Sequence, residues 1–481
     1  MMLINDNKFT CGSFITLSVV SSLVLSCSSG AGKNYKTTAK PNLVFVFADQ
    51  WRADATGYTG NAQLKTPNLD KLAGESVNFS TAIATCPVSS PARASLLTGQ
   101  YPLTHGIFFN DKPLATQAIS IAEVYREHGY NTAYIGKWHL NGHPRGENRD
   151  VHRKLPVPEE RRQGFDYWKV LECTHDYNNS IYYDEENVQH TWQGYDAEIQ
   201  TDSAIAYIKR KKAEPFMLFL SWGPPHDPYQ TAPEKYRNIY ADWQKIELRS
   251  NVPDSLADAA RKQIAGYYAH IAALDECVGR LLITLKEEGI DENTIFVFTS
   301  DHGDMLRSHS QTNKQKPWDE SIRIPFLLRF PGRIKKAGEV TIPFATVDIM
   351  PTLLGLSGLP VPASVEGTDF SGYMLGGKKP DIKAALIMCP VPFHQWSFEN
   401  GGREYRGIRT SRYTFVRDLN GPWLLYDNET DPYQLNNLVD KVEYSSVQHE
   451  LESELDRLLK QTNDEFREAD YYMKKWNYDY D

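Results

Sequence analysis

Side chains that can bind metal ions or transfer protons stand at the ends of four apolar runs in this chain. They are Asp49-Gln50, Lys137 with His139, His226-Asp227, and Asp301-His302. Carboxylates and imidazoles bind divalent cations, and histidine transfers protons near neutral pH. The spacing indicates one catalytic site, provided that the fold brings the four places together.

The four runs have the composition of strands that are buried on both faces of a parallel sheet. They cover residues 42–48, 132–135, 216–220 and 294–299. Ligands of open α/β sheets bind outside the carboxyl ends of the strands. Because all four polar groups follow such ends, we expect them to meet at one edge of the sheet.

Helix signals lie between the runs. Thr66-Pro67 offers an N-cap and a first-turn proline, with Gly74 as a stop. Ser120 and Glu123 have the spacing of a capping box. The alternation of strands and helices predicts an α/β fold with a large, doubly wound, mixed sheet flanked by helices.

The sequence changes in character from about Gly367 onward. Segments 413–416 and 423–426 lie between turns rich in Asn, Asp, Gly and Pro, which predicts a small antiparallel sheet. Four leucines with helical spacing predict a last helix packed on that sheet: Leu451, Leu455, Leu458 and Leu459. The predicted division is a leader at 1–39, a catalytic domain at 40–366 and a C-terminal subdomain at 367–481.

A short motif begins at Ser89. It reads Ser89-Ser90-Pro91-Ala92-Arg93 and is followed by Leu97-Thr98-Gly99. It resembles the maturation signature of the type I sulfatases of the alkaline-phosphatase superfamily, in which the first residue of S/C-x-P-x-R is oxidised to formylglycine. The resemblance extends from residue 42 to the segments at 425–427 and 431–433, and it implies an alkaline-phosphatase-like fold.

Ser89 is the residue that the resemblance selects for modification. Cys86 does not qualify, because Val88 and Ser90 stand where the cysteine version of the motif requires Pro and Arg. We also expect Ser89 to be the N-cap of a helix around Ala94, a position that directs backbone amides at an anion. The hydrated aldehyde would carry two hydroxyls: one attacks sulfur, and deprotonation of the other expels sulfate.

The resemblance implies a divalent cation, usually calcium in this family. Its ligands would be residue 89 and four further side chains: Asp49, Gln50, Asp301 and His302. Gln50 stands where a second Asp is commoner, and His302 where Asn is commoner. Both differences lower the negative charge and leave room for Mg²⁺ or Mn²⁺.

Further roles follow from the same resemblance. Lys137 would bind the sulfate and residue 89, and His139 would be the base for sulfate elimination. Arg93 would hold residue 89 and the metal-bound carboxylates. His226 would be the general acid toward the leaving oxygen.

A second lysine is expected to bind a nonbridging sulfate oxygen. Residues 313–325 resemble the family segment K-x-x-x-[aromatic]-[acidic], and counting back four positions from Trp318 selects Lys314. Lys316 is the alternative. If Lys314 binds the sulfate, we expect Lys316 to be a solvated neighbour. The chosen lysine would stabilise charge that develops as the leaving group departs.

The net charge and the N-terminal segment indicate which partners and which cellular location to expect. The formal net charge is −9 and no basic run suggests a nucleic-acid site, so nucleic-acid binding is not expected. Residues 14–25 are apolar but short for a membrane span, and residues 24–27 resemble a bacterial lipobox. The expectation is an exported protein of the periplasm or cell surface, lipid-anchored at Cys27. An ordinary secretory signal is the alternative.

The expected substrate is a sulfated carbohydrate. Residues 170–195 and the loop at 394–396 are rich in aromatic and polar side chains, which suit sugars, although packing of surface loops is the alternative explanation. The serine form of the motif implies an oxygen-independent radical maturation enzyme as partner. Two other functions stay open: a phosphate mono- or diesterase of the same superfamily, and a glycan-binding pseudo-enzyme.

Overall fold

The computed structural model describes residues 39–479, so the predicted leader and Cys27 lie outside the described residues. From Lys40 onward the chain forms one compact unit. Within residues 39–479, no helix is long and apolar enough to cross a membrane. The predicted division at residue 366 stays a prediction.

Seventeen strands form three sheets over the described residues. The ten-stranded sheet has the order β12-β2-β11-β9-β1-β8-β4-β5-β6-β7, a three-stranded sheet has the order β10-β3-β13, and a four-stranded sheet has the order β14-β15-β16-β17. The bounds are β1 Asn42–Asp49, β2 Val77–Phe79, β3 Ala82–Ile83, β4 Asn131–Lys137, β5 Tyr167–Leu171, β6 Ile181–Tyr183, β7 Gln189–Thr191, β8 Phe216–Pro225, β9 Thr294–Ser300, β10 Arg323–Ile324, β11 Phe326–Arg329, β12 Gly338–Val340, β13 Phe344–Ala345, β14 Ala384–Cys389, β15 Tyr405–Thr410, β16 Tyr413–Asp418 and β17 Gly421–Asp427.

The centre of the large sheet is parallel. Strand β1 pairs in parallel with β8 and β9, and β4 pairs in parallel with β8 and β5. Antiparallel pairs occur toward its edges, between β9 and β11 and between β5, β6 and β7. The four predicted strands are therefore β1, β4, β8 and β9, and the predicted mixed α/β sheet is confirmed.

Both faces of the sheet are buried, which explains the uninterrupted apolar runs. Side chains alternate across a strand, so Leu43 and Phe45 of β1 join one core cluster while Val44 and Val46 join the other. Helices cover both faces. Their bounds are α1 Pro67–Gly74, α2 Ser89–Thr98, α3 Pro102–His105, α4 Ile121–Glu127, α5 Arg149–His152, α6 Asp196–Lys211, α7 Glu234–Arg237, α8 Ala257–Glu287, α9 Asp319–Ile322, α10 Ile349–Ser357, α11 Ser371–Met374, α12 Ser445–Gln461 and α13 Ala469–Lys475.

The predicted capping signals have different outcomes. Thr66 has the N-cap position of α1, with Pro67 next to it, but its side chain makes no capping bond. Ser120 and Glu123 form the reciprocal bonds of a capping box at the start of α4. Helix α2 begins at Ser89 itself, and its N-cap is the extended residue Val88. The expectation that Ser89 is an N-cap is therefore wrong by one residue, since Ser89 already has its place in the first turn.

The antiparallel sheet β14–β17 confirms the small C-terminal sheet. The predicted leucine stripe lies on α12, where Leu451, Leu455, Leu458 and Leu459 are buried. They pack in one cluster with Leu386 of β14, Ile408 of β15 and Phe415 of β16. The stripe is thus structural, as its spacing indicated.

Candidate active site

The predicted residues meet at the carboxyl edge of the large sheet. Asp49 ends β1 and Lys137 ends β4, while His226 follows β8 and Asp301 follows β9. These strands are neighbours in the order β9-β1-β8-β4. Parallel strands therefore deliver four chemically active side chains to one place, as the sequence predicted.

Ser89 lies at the centre of this group. Its side chain is fully buried in the first turn of α2. The Oγ atom lies 3.0 Å from Nε2 of His302, 3.4 Å from Oδ1 of Asp49 and 3.2 Å from Nζ of Lys314. Residue 89 thus contacts both a carboxylate–imidazole group and a lysine, on a helix end that favours anions.

Arg93 lies one turn further along α2 and ties the carboxylates together. Its guanidinium donates to Oδ2 of Asp301 at 3.1 Å and lies 3.5 Å from Oδ2 of Asp49. It also donates to the carbonyl oxygen of Lys137 and to Oγ of Ser221, both at 2.8 Å. The side chain is buried, so it holds β1, β4, β8 and the loop after β9 in fixed relation.

Lys137 pairs with Asp49 through a short Nζ–Oδ2 contact. Burial alone would raise the pKa of Asp49, but Lys137, His226, Lys314 and Arg93 hold it well below its ordinary value. The close fit of β4 depends on Gly136, which has φ 106°. A Cβ atom there would lie 2.0 Å from the carbonyl oxygen of Ser221.

Three predicted metal ligands form one compact cluster. Potential ligand atoms of Asp49, Asp301 and His302 all lie within 4.8 Å of one another. Nδ1 of His302 donates to the carbonyl oxygen of Gly303 at 3.0 Å, so the lone pair of Nε2 faces the cluster. Burial lowers the pKa of His302 to about 4, which keeps that lone pair available.

Gln50 is the fourth predicted ligand and it fits the same group. Its backbone N–H donates to Oδ1 of Asp301 at 3.0 Å, and its amide nitrogen donates to Oδ2 of Asp304 at 2.8 Å. The amide oxygen is buried and has no hydrogen-bond partner among the described residues. A buried amide oxygen without a partner, on the residue that follows Asp49, is of the ligand type that a divalent cation takes.

His139 is held by two residues that the sequence did not indicate. Its Nε2 lies 3.2 Å from Oδ1 of Asp111, and Arg153 binds both oxygens of Asp111 at 2.8 and 2.6 Å. Burial lowers the pKa of His139 to about 3. Because Nε2–H donates to a carboxylate, Nδ1 carries the lone pair, and this buried atom has no partner among the described residues.

His226 lies beside Lys314 at the mouth of the site. Nζ of Lys314 donates to Nε2 of His226 at 3.1 Å, and Nδ1 of His226 donates to the carbonyl oxygen of Asp227 at 2.9 Å. The ring stacks on His175 with centroids 4.6 Å apart. Burial, and then Lys314, holds the pKa of His226 well below its ordinary value. Burial also lowers the pKa of Lys314.

The two candidate lysines have different surroundings. Lys314 contacts Ser89 and His226, as described. Nζ of Lys316 instead donates to the carbonyl oxygens of Thr312 at 2.7 Å and Gln395 at 3.4 Å. Lys316 is fully buried rather than solvated, and burial lowers its pKa to about 7. The geometry thus places Lys314 in the site and gives Lys316 the position of a loop support.

A cleft of about 160 Å³ opens above these side chains. Its lining joins Lys137, His139, His226 and Lys314 to residues of six segments of the chain: Asn110, Arg149, Arg153, Cys173, His175, Asp227, Asn313, Phe393, His394 and Gln395. The last three come from the chain between β14 and β15, so the C-terminal part of the chain contributes to the cleft.

Each of the two segments predicted to bind sugar has some residues in the cleft and others in the protein core. His175, His394 and Gln395 line the cleft, whereas Trp192 and Trp396 are buried in core clusters. Glu172 of the first loop accepts the backbone N–H groups of Asn141 and Gly142, beyond His139. Packing therefore accounts for part of both segments.

Several side chains of the site carry no sequence signal. Asp111, Arg153 and Ser221 lie in no motif, and Asn313 begins the segment 313–325 but had no predicted role. All four reach the site through contacts between distant segments. Asp111 follows the motif region by about a dozen residues, in a turn that reads as an ordinary loop. Only the three-dimensional arrangement shows that it holds His139.

Comparisons with known proteins show the family to which the chain belongs. The family model described as Sulfatase matches residues 41–359, and the model described as N-sulphoglucosamine sulphohydrolase, C-terminal, matches residues 308–472. An ulvan-active sulfatase of Formosa agariphila is 43% identical over 471 residues, covering 96% of this chain and 89% of that protein.

Two further relatives are similar over most of their length. An endo-4-O-sulfatase of Bacteroides thetaiotaomicron is 31% identical, covering 88% of this chain and 92% of that protein. A solved structure in complex with its substrate D-glucosamine-2-N,6-O-disulfate has a TM-score of 0.75 and 25% identity, covering 89% of this chain and 99% of that one. The chain therefore belongs to the sulfatase family, has the alkaline-phosphatase-like fold of bacterial sulfatases, and is a sulfuric ester hydrolase.

Proposed function

We propose that this enzyme removes sulfate from a sulfated polysaccharide, with formylglycine made from Ser89 and a divalent cation, calcium first, in the site. The observation that carries the proposal is the position of residue 89. It begins a helix, is fully buried, and lies within 3.4 Å of Asp49, His302 and Lys314. A plain structural serine has no need of these three neighbours together.

The side chains around residue 89 suit both groups. Asp49, Gln50, Asp301 and His302 would hold the cation, which supplies positive charge to the sulfate oxygens. Formylglycine supplies a hydroxyl nucleophile whose second hydroxyl can be deprotonated to release sulfate. Arg93 keeps Asp49 and Asp301 in place, and Lys137 and Lys314 offer positive charge to an anion in the cleft.

Two histidines have separate roles in proton transfer: His139 accepts a proton, and His226 takes part in donating one. His139 is neutral, and the lone pair of Nδ1 is available because Asp111 and Arg153 fix the ring, so it accepts the proton during sulfate elimination. His226 receives a hydrogen bond from Lys314, and an anionic ester in the cleft would raise the pKa of both groups. This pair therefore supplies the proton to the leaving oxygen.

A sulfated glycan is the substrate that best fits the cleft. Of the proteins named above, one is an ulvan-active sulfatase, one is an endo-4-O-sulfatase, and one was solved in complex with a disulfated glucosamine. The cleft of this chain is polar, and His175, His394 and Gln395 offer ring faces and hydrogen-bonding groups to sugar hydroxyls. Such a lining suits a carbohydrate better than a small aryl group.

The setting of the enzyme is part of the same proposal. The leader with its lipobox-like residues 24–27 supports export and a lipid anchor at Cys27, in the periplasm or on the cell surface. Because residue 89 is serine, the maturation partner would be an oxygen-independent radical enzyme. Acylation of Cys27 is tested by metabolic labelling with a radioactive fatty acid, with Cys27→Ser as the control.

Sulfate release tests the proposed activity. The protein is produced with a radical maturation enzyme and incubated with ulvan and chondroitin sulfate oligosaccharides, and free sulfate is measured by ion chromatography. We expect release by the native protein and none by Ser89→Ala, whose thermal unfolding should be unchanged. Release of phosphate from phosphate esters but no sulfate would favour a phosphoesterase, and no release of either would favour a glycan-binding protein.

A further inference from the structure

A second cavity of about 450 Å³ lies next to the catalytic cleft. Its size falls within the range of about 300–1,000 Å³ that is typical of small-molecule sites. The lining is largely polar and comes from the segments after β8, on α8 and after β9: Asp227, Pro228, Tyr229, Gln230, Gln263, Asp304, Leu306, Arg307, Thr312 and Asn313. None of the roles described above uses this cavity.

Asp227 and Asn313 connect the cavity to the cleft, because both line the two spaces. The amide nitrogen of Asn313 donates to Oδ1 of Asp227 at 2.8 Å, so the two side chains form a shared ridge. Their chain neighbours, His226 and Lys314, face the cleft. A molecule whose sulfate lies beside Lys314 would therefore reach the second cavity by crossing this ridge.

The charged side chains of the cavity differ in whether they already have a partner of opposite charge or a hydrogen-bond donor. Both carboxylates have partners: Asp304 accepts from Tyr229 at 2.6 Å and Gln50 at 2.8 Å, and Asp227 accepts from Asn313. Arg307 donates Nε–H to Oε1 of Gln263 at 3.0 Å. Its guanidinium makes no ion pair with any carboxylate of residues 39–479. The guanidinium is therefore available to an anionic group that enters the cavity.

The position of Arg307 is fixed by its backbone. The residue is left-handed, with φ 74°. The backbone N–H of Arg307 donates to the carbonyl oxygen of Gln311 at 2.8 Å, and the carbonyl oxygen of Arg307 accepts the N–H of Ser310 at 3.1 Å. With Gln263 holding Nε, the other guanidinium nitrogens can face an incoming ligand without much loss of side-chain freedom.

We propose that this second cavity binds the sugar unit next to the sulfated one, and that Arg307 binds an anionic group on that neighbouring sugar. The proposal rests on the proposed glycan substrate and makes it more specific, to an acidic polysaccharide. A carboxylate of a uronic acid and a second sulfate ester have the same chemistry toward a guanidinium, since both accept paired hydrogen bonds.

Binding to an inactive parent tests this inference without depending on turnover. The calcium-loaded Ser89→Ala protein is titrated by calorimetry with a sulfated monosaccharide, disaccharide and tetrasaccharide from chondroitin sulfate, and with ulvan oligosaccharides of matched length. Arg307→Ala and Arg307→Lys are made in the same background. Arg237→Ala is the matched control, because Arg237 is exposed on the short helix α7, away from both spaces.

We expect the oligosaccharides to bind more tightly than the monosaccharide. Arg307→Ala should weaken oligosaccharide binding about ten-fold or more, with little change for the monosaccharide, and Arg307→Lys should lie between. Oligosaccharides with reduced carboxyl groups distinguish the two anion sources: loss of the Arg307 effect assigns a carboxylate, and retention assigns a sulfate.

Two results would overturn the inference. One is that no oligosaccharide in either series binds more tightly than its monosaccharide. The other is that Arg307→Ala and Arg237→Ala have equal effects. Failure of the proposed activity is a separate result, since absence of sulfate release by the native protein would leave a size- and Arg307-dependent affinity intact.

Discussion

Replacement of Lys314 by methionine removes one charged donor from the site while keeping most of the side chain's volume. Nζ of Lys314 contacts Ser89 Oγ at 3.2 Å and His226 Nε2 at 3.1 Å, so the variant loses charge beside both the nucleophile and the proposed acid. A preorganised donor of this kind contributes about 10²–10³ in kcat, or about 2.7–4 kcal/mol. We expect Lys314→Met to lower kcat by that factor.

Lys316→Met is the matched control, since it removes the same charge two residues away. Its Nζ donates to the carbonyl oxygens of Thr312 and Gln395 and lies 5.4 Å from the centre of the Trp396 ring, away from Ser89 and His226. The loss of these bonds should cost stability, about 1–3 kcal/mol, while kcat falls by less than about ten-fold. Initial rates of sulfate release and urea unfolding measure the two quantities. Equal losses of kcat in both variants, or a Lys314→Met enzyme within ten-fold of the native one, would refute the assignment.

His226→Ala should slow esters with poor leaving groups far more than activated aryl sulfates, because only the former need the proton; equal losses in kcat/KM would remove it from the acid role. Asp111→Asn should lower kcat at least about ten-fold with little change in KM, because His139 loses the carboxylate that fixes its ring; an unchanged kcat would show that Asp111 is dispensable. Asp196 is buried, and burial raises its pKa to about 8. The folded state therefore holds a proton that the unfolded chain loses near pH 4, and native stability falls as pH rises toward 8. Asp196→Asn should reduce that fall, by at most about 1.4 kcal/mol per pH unit, in urea unfolding at pH 5 to 8; parallel curves for both proteins would contradict this.

The central strands and the functional residues that follow them were predictable from the sequence. A strand that is buried on both faces requires an uninterrupted run of apolar residues. Strand β1 is continuously apolar since Val44 and Phe45 pack into cores on opposite faces of the sheet. A polar residue that ends such a run, such as Asp49 or Asp301, has to lie at the sheet edge. The capping box at Ser120 is local chemistry and was predictable for the same reason.

The supports of the site were not predictable, because they depend on contacts between distant segments. Asp111 holds His139 from 28 residues away, and Asn313 meets Asp227 from 86 residues away. The loop that carries Lys314 has left-handed residues without glycine, including Arg307 and Asn313. No local signal marks such a backbone, so the sequence alone left Lys314 and Lys316 as alternatives.

The identity of residue 89 in the mature protein is the central claim, and mass spectrometry tests it most directly. The protein is isolated from its native host and digested with trypsin, and the peptide of residues 72–93 is fragmented. The account predicts that Ser89 has lost two hydrogens, as conversion of its CH₂OH group to an aldehyde requires. An unmodified serine at position 89 in active enzyme would contradict it.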